Sequence, residues 1–504
     1  MIDLLNDNKV GLVKEKSVYN NISPYHSSEL YPEFKDYPVS KSDNPAYRGV
    51  RELFRLLKFD YVNYGTEEWN PLKEVVKKSD VVVIKPNLVN DRNFNSDVTE
   101  LSLDCLITHG SVIRVVVDYV AKAMEGVGKI IIGDAPIQGA DFERIKNSSG
   151  LCSIKEFIEK IHKNIIVELI DFRLAKAVLK GGKQVERILT ENSFDDYTEL
   201  DIGKESLLMP IILKGNYKFG VAQYSYKKMK YAHNENTNKY LFPDKVLNAD
   251  VIINLPKLKS HKRAGVTCSL KNLVGIIGHK DYLPHFTYGS PKNGGDEYPD
   301  GGFLWDLRWF FEHKEWERNK GVLKRFYNKC VYLMRGILRK VFKYPDDFDH
   351  NGSGGWFGND TLWRTVLDIN RAFFYRKKNN DELSFRNDQG YLTIVDGIVG
   401  GDKNSPLAPS PVNCGLILGG FNPLCVDTVA TCLMGFDIYK VKQICEAFNL
   451  NNLRLSNFEA NQIEVKSSFG LNNIDDILKS REFVKFIPAK GFKGHIEYMK
   501  TDEK

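Results

Sequence analysis

The stretch NLPKLKSHKRAGVTCSLKNLVG, residues 254–275, gathers Lys257, Lys259, His261, Lys262, Arg263 and Lys271, with no acid before Asp281. Lysines that end a strand and precede a helix suit phosphate or carboxylate, since ammonium groups and helix N-termini both favour anions. A helix starting at Thr267 would set Lys271 one turn in. The plainer role is a solvated basic loop, as for most charge runs. Apolar brackets, VIINLP before and LVGIIG after, favour a working anion cradle. Lys257, Lys259 and Lys271 are therefore expected to bind a small anionic substrate. Loss of charge at Lys257 or Lys259 should then weaken binding and leave the fold intact.

Histidine supplies the proton chemistry. His109 in ITHGSV, His261 in the basic run and His279 after GIIG could each act as general acid or base, because imidazole titrates near neutrality. Each could equally be a helix cap or a packed polar residue. Asp134 in IIIGDAP and Asp396 in TIVDGIVGG end apolar runs beside Gly or Pro. A carboxylate there could hold a divalent metal, a ribose hydroxyl or a lysine. Asp427 falls among Val426, Ala430 and Leu433 in the first turns of a helix, so if partly buried it needs a cationic partner, with Lys85 or Lys257 as candidates.

Several chemistries lack their motifs. IVGGDKNSPLAPSP is not G-x-x-x-x-G-K-[ST], and no H-E-x-x-H or G-x-S-x-G occurs. The eight cysteines form no C-x-x-C pair, which argues against a zinc ribbon or an iron–sulfur cluster and for reduced thiols in a cytoplasm.

The elements that must position these groups read as α/β. DVVVIKPN, GKIIIGDAP, ADVIINLPKLK and LTIVDGIVGG are short apolar runs ending in polar residues, as strands covered on both faces do. Between them SVIRVVVDYVAKAMEG and FNPLCVDTVATCLMG read as helices. Thr108 or Ser111 is the expected cap of the first, Asn422 of the second. A mostly parallel, Rossmann-like sheet with flanking helices follows, and its C-terminal strand ends should border the ligand crevice. Lys85, Asp134, Lys257, Lys259 and Asp396 all fall at such ends.

At 504 residues the chain divides into an N-terminal extension (1–75), a first part of the core (76–284), a helical, basic and aromatic insertion (285–385) and a second part of the core with the C-terminal segment (386–504). From Arg318 to Tyr344 the insertion has no acid but nine cations. That run is either an interfacial helix on anionic lipid or a helix packed on its own domain with its charges in water, and Gly321 and Gly336 favour the second. A net charge of +6 permits anionic partners, and no specific nucleic-acid module is recognisable. The N-terminus is a poor signal peptide and no run spans a membrane. Expected placement is cytoplasmic, with peripheral contact at the inner membrane face in the interfacial case.

In order, KPNLV, THGSVIRVVVDYV with GKIIIGDAP, ADVIINLPKLKSHKRAGVTCSLKNLVG and IVDGIVGG…NPLCVDTVATCLMG resemble the domain of unknown function 362 family. The resemblance runs from about Val81 to Gly435 and is most specific in PKLKSH…GVT…SLKNLVG. It implies a shared site of Lys85, Asn87, His109, Asp134, Lys257, Lys259, His261, Lys271, Asn272, Asp396 and Asp427. WFGNDTLWRTVLDIN is similar to a subgroup associated with bacterial surface-polysaccharide gene sets. Many relatives carry an appended iron–sulfur domain whose motif this chain lacks. The strand–THG–helix arrangement is more weakly similar to nickel-pincer lactate racemases, where histidines and a lysine serve a 2-hydroxy acid. The expected activity is that of a cytoplasmic enzyme on a phosphorylated, nucleotide-linked or carboxylate substrate, plausible in surface-glycan synthesis. The competing expectation is a non-catalytic protein that docks on an anionic membrane through residues 318–344.

Overall fold

Four β-branched runs, Val81–Pro86, Val127–Asp134, Asn164–Asp171 and Val251–Leu255, form parallel strands, almost wholly buried in the first and last and only partly so in the edge strand Asn164–Asp171. The computed structural model describes residues 3–98, 102–180, 183–221, 226–299, 307–308, 310–311, 314, 321–342, 353–377, 383–480 and 484–498. Across the main sheet the strands run Glu464–Ser467, Lys9–Lys14, Ala408–Gly420, Gly390–Asn404, Val251–Leu255, Val81–Pro86, Val127–Asp134 and Asn164–Asp171. Ala408–Gly420 pairs antiparallel with both neighbours, and the other neighbouring pairs are parallel. The α/β class read from the sequence is the class observed.

Alternate residues of each strand enter opposite cores, as the two-residue period requires. Val82, Ile84, Ile130 and Ile132 join one apolar cluster with the helices Pro45–Leu56, Gly110–Ala123 and Leu151–Ile161. Val83, Ile131 and Ile252 join the other with Leu362–Phe374 and Pro423–Leu433. The helix Leu362–Phe374 buries Leu362, Val366, Ile369 and Phe373 in this second core. The strand Lys9–Lys14 lies inside the sheet, so the N-terminal part of the chain supplies one strand of its hydrogen-bonded frame.

Three local expectations are corrected. The basic run is no loop: Lys257–His261 is a buried strand pairing in parallel with Gly390–Asn404 and antiparallel with Gly265–Thr267. The helix expected from Thr267 begins at Ser269 and lasts to Asn272. The cap of Gly110–Ala123 is neither Thr108 nor Ser111 but His109, whose ring accepts from Ser111 N. Asn422 does cap Pro423–Leu433, accepting from Leu424 N and Cys425 N. Within the basic run of the insertion Val322–Phe342 is helical, while Arg318, Lys320, Lys343 and Tyr344 lie outside the described residues.

Candidate functional site

Parallel register sets the polar ends of the strands side by side: Asn254 aligns with Lys85, and Lys257 with Asp396. Lys85 Nζ is fully buried, 2.8 Å from Asp134 Oδ1 and 3.0 Å from Asn272 Oδ1. Burial pushes its pKa down against the pull of Asp134. Asn272 also accepts from Asn87 Nδ2 at 3.1 Å and donates to Asn254 Oδ1 at 2.7 Å. Gly275 lies so close that a Cβ there would overlap Asp134 Oδ1 and Lys85 Nζ. Lys85, Asn87, Asp134 and Asn272 thus form one network.

A second cluster surrounds Lys257. Its Nζ donates to Asp396 Oδ2 at 2.9 Å and to Tyr19 OH at 2.7 Å, and both charged groups are wholly buried. Tyr19 OH donates to Asp396 Oδ1, and His109 N donates to Asp396 Oδ2 at 2.9 Å. The His109 ring stacks on Tyr19 with centroids 4.0 Å apart. Since His109 Nδ1 accepts from Ser111 N, the ring proton sits on Nε2, which is 3.9 Å from Asp104 Oδ1. Burial, then the Lys257 charge, holds His109 down at about 3.

Lys259 pairs with no carboxylate among the described residues. It donates to Asn87 Oδ1 at 2.8 Å and Leu106 O at 2.6 Å, both neutral acceptors. Burial and then Lys257 lower its pKa to about 7. That places Lys259 in the range where the sequence reading put histidine.

The third cluster is purely cationic in its side-chain heads. Burial lowers Lys271 to about 7, with Lys280, Arg263 and Lys85 as its charged neighbours. Lys280 is lowered to about 8 by burial, with Asp134 acting the other way. Neither ammonium makes a side-chain hydrogen bond or ion pair among the described residues. His261 and His285 adjoin them, both held well below the ordinary imidazole range by burial and then by Lys271 and Arg263. His261 Nδ1 accepts from Arg263 N and Ala264 N, both at 3.1 Å, which leaves Nε2–H as a donor. Lys271, Lys280 and Arg263 are only partly withdrawn from water, yet like charges without a counter-ion repel there, and an incoming anion would relieve that repulsion.

The structure thus redistributes the roles expected of the site residues. Lys257 is ion-paired with Asp396, so removing its charge would strand a buried carboxylate. Burial lowers His109 to about 3 and holds His261 well below the ordinary imidazole range. Asp427 needs no cation: its carboxylate accepts from Ser269 N at 2.6 Å and Leu270 N at 3.0 Å, although burial raises its pKa to about 6. His279 caps a short turn by accepting from Asp281 N at 3.2 Å. Asp134 and Asp396, offered to a divalent ion by the sequence, are occupied by lysine and backbone donors. No group of three or more His, Cys, Asp or Glu among the described residues could hold a metal. Tyr19, Asp104, Lys280 and His285 were missed because they lie far from the basic run in sequence or end no apolar run. Only the spacing of Lys280 from LVGIIG could have signalled one of them.

Residues 161–432 match the model of the family described as Domain of unknown function (DUF362), more than half of the 504 residues. The chain belongs to that family. None of the curated proteins matches. Among solved structures, a Thermotoga maritima protein is similar at 10% identity and TM-score 0.29, covering 73% of this chain and 54% of that one. The lactate racemase apoprotein from Thermoanaerobacterium thermosaccharolyticum is similar at 11% identity and TM-score 0.29, with 84% and 55% covered. The chain spans just over half the length of each.

Proposed function

We propose that this DUF362 chain is an enzyme acting on a small substrate that carries a phosphate or carboxylate. The carrying observation is Lys271 and Arg263 beside the neutral donor His261, with Lys280 next to Lys271 and both lysines left without a hydrogen-bonded acid among the described residues. In this reading Lys271 and Lys280 hold the anion and His261 Nε2–H adds a neutral donor. Lys259, seated on Asn87 Oδ1 and Leu106 O, moves a proton. Lys85, Asp134, Asn87 and Asn272 fix that lysine from behind. Lys257, Asp396 and Tyr19 orient His109, whose Nε2–H polarises an oxygen of the substrate. Asp427 anchors the helix that carries Lys271. Phosphorylated or nucleotide-linked sugars of bacterial surface-glycan synthesis are the proposed class, supported by the WFGNDTLWRTVLDIN segment. Eight free thiols support a cytoplasmic setting.

The deciding experiment titrates the protein calorimetrically with inorganic phosphate, sugar phosphates, nucleotide sugars and 2-hydroxy acids. A selective ligand whose affinity falls at least about tenfold in a folded Lys271→Met, Lys280→Met variant supports the reading. Equal affinity in that variant, or no binding of any anion by the wild type, overturns it.

A further inference from the structure

The helix Val322–Phe342 turns an apolar stripe toward water. Val322, Phe326 and Leu333, spaced i, i+4 and i+11, share one face and are 76%, 52% and 61% exposed. Tyr332 is 80% exposed, whereas Val331, on the opposite face, is 5% exposed. Arg325 and Lys329 are exposed along one edge of that stripe. The helix sequence adds Lys324, Arg335, Arg339 and Lys340 and contains no acid. A helix that merely packed on its own domain would bury this stripe and show only its cations.

We infer that this face docks on a membrane bearing anionic headgroups, with Val322, Phe326 and Leu333 entering the headgroup–acyl boundary and Arg325 and Lys329 meeting the charge. Apolar residues flanked by cations on an acid-free helix are the chemistry that interfacial helices use. No helix among the described residues is long and apolar enough to cross a membrane, so contact is in the plane of the interface. A second copy of the chain is the poorer occupant. Two-fold pairing of this face would bring Arg325 and Lys329 of one copy against the cations of the other, with no acid on the helix to offset them.

Flotation of the full-length protein with vesicles of phosphatidylglycerol and phosphatidylcholine, against phosphatidylcholine alone, tests this. Binding is expected to the anionic vesicles at low salt and to fall at high salt. A Phe326→Ser, Leu333→Ser variant and an Arg325→Glu, Lys329→Glu variant should each lose at least about tenfold in vesicle affinity. These positions are exposed, so circular dichroism and melting temperature should match the wild type. Equal flotation with neutral vesicles, binding unchanged in both variants, or no binding at low salt overturns the inference. So does self-association in sedimentation that the serine variant abolishes, or capture of an acidic protein by a chain that ignores vesicles.

Discussion

Lys271 and Lys280 differ from Lys85 and Lys257 in having no carboxylate within hydrogen-bonding distance among the described residues. A lysine whose pKa lies below its unfolded value costs stability wherever the fold must hold it charged. That cost is full below the folded value of about 7 and fades as pH rises toward the unfolded value of about 10.4. Lys271→Met should therefore raise the melting temperature at pH 6 and change it little near pH 10, read by calorimetry. An anion bound to Lys271 raises its pKa again, so wild-type affinity should fall as pH rises from about 7 to 9, by up to about tenfold per unit for each proton taken up. Titrations in buffers of different ionisation enthalpy would count that proton. Lys257, by contrast, is ion-paired. Lys257→Met strands Asp396 and should cost about 3–5 kcal/mol in urea unfolding, while the Lys257→Met, Asp396→Leu pair should recover much of the loss. The basic run displayed the charges in sequence, but which lysine is paired depends on Asp134 and Asp396, acids far away along the chain.

Short elements set the angles at which these groups meet. The helix Ser269–Asn272 is too short to hold itself, and Asp427 from a distant helix satisfies its first two amides. Asp427→Asn replaces one acceptor by a donor that faces an N–H, and should cost about 1–3 kcal/mol while weakening anion binding through Lys271. Calorimetric unfolding and phosphate titration of the same variant would separate the two effects. At Gly110–Ala123 the cap is a histidine, so His109→Asn should keep stability within about 0.5 kcal/mol, whereas His109→Ala should lose about 1 kcal/mol. Both should impair turnover if Nε2 touches substrate, and neither if the ring only caps. Asn422 followed by Pro423 showed its helix start directly, because the capping residue and its partners are neighbours in sequence. The strand Lys257–His261 did not, since four polar or basic residues in five carry no apolar pattern to read.

At the scale of the molecule, the sheet closes through its first strand. Lys9–Lys14 lies between Ala408–Gly420 and Glu464–Ser467, and Tyr19 just beyond it reaches Lys257 and Asp396. A chain beginning at residue 76 should accordingly expose a sheet edge and lose Tyr19, and should aggregate instead of refolding from urea, as light scattering would report. By itself the sequence determined the α/β class, the strand ends where polar groups must gather, and the excess of lysine among them. Those features are local: apolar runs, turn residues and charge can be read over a few positions. Only the tertiary structure decided which cations are paired with a carboxylate and which, among the described residues, are not. It also decided that His109 and His261 stay neutral and that the stripe on Val322–Phe342 faces water. Ion pairing, desolvation and exposure depend on residues brought within a few ångströms by folding, and the chain order does not record those distances.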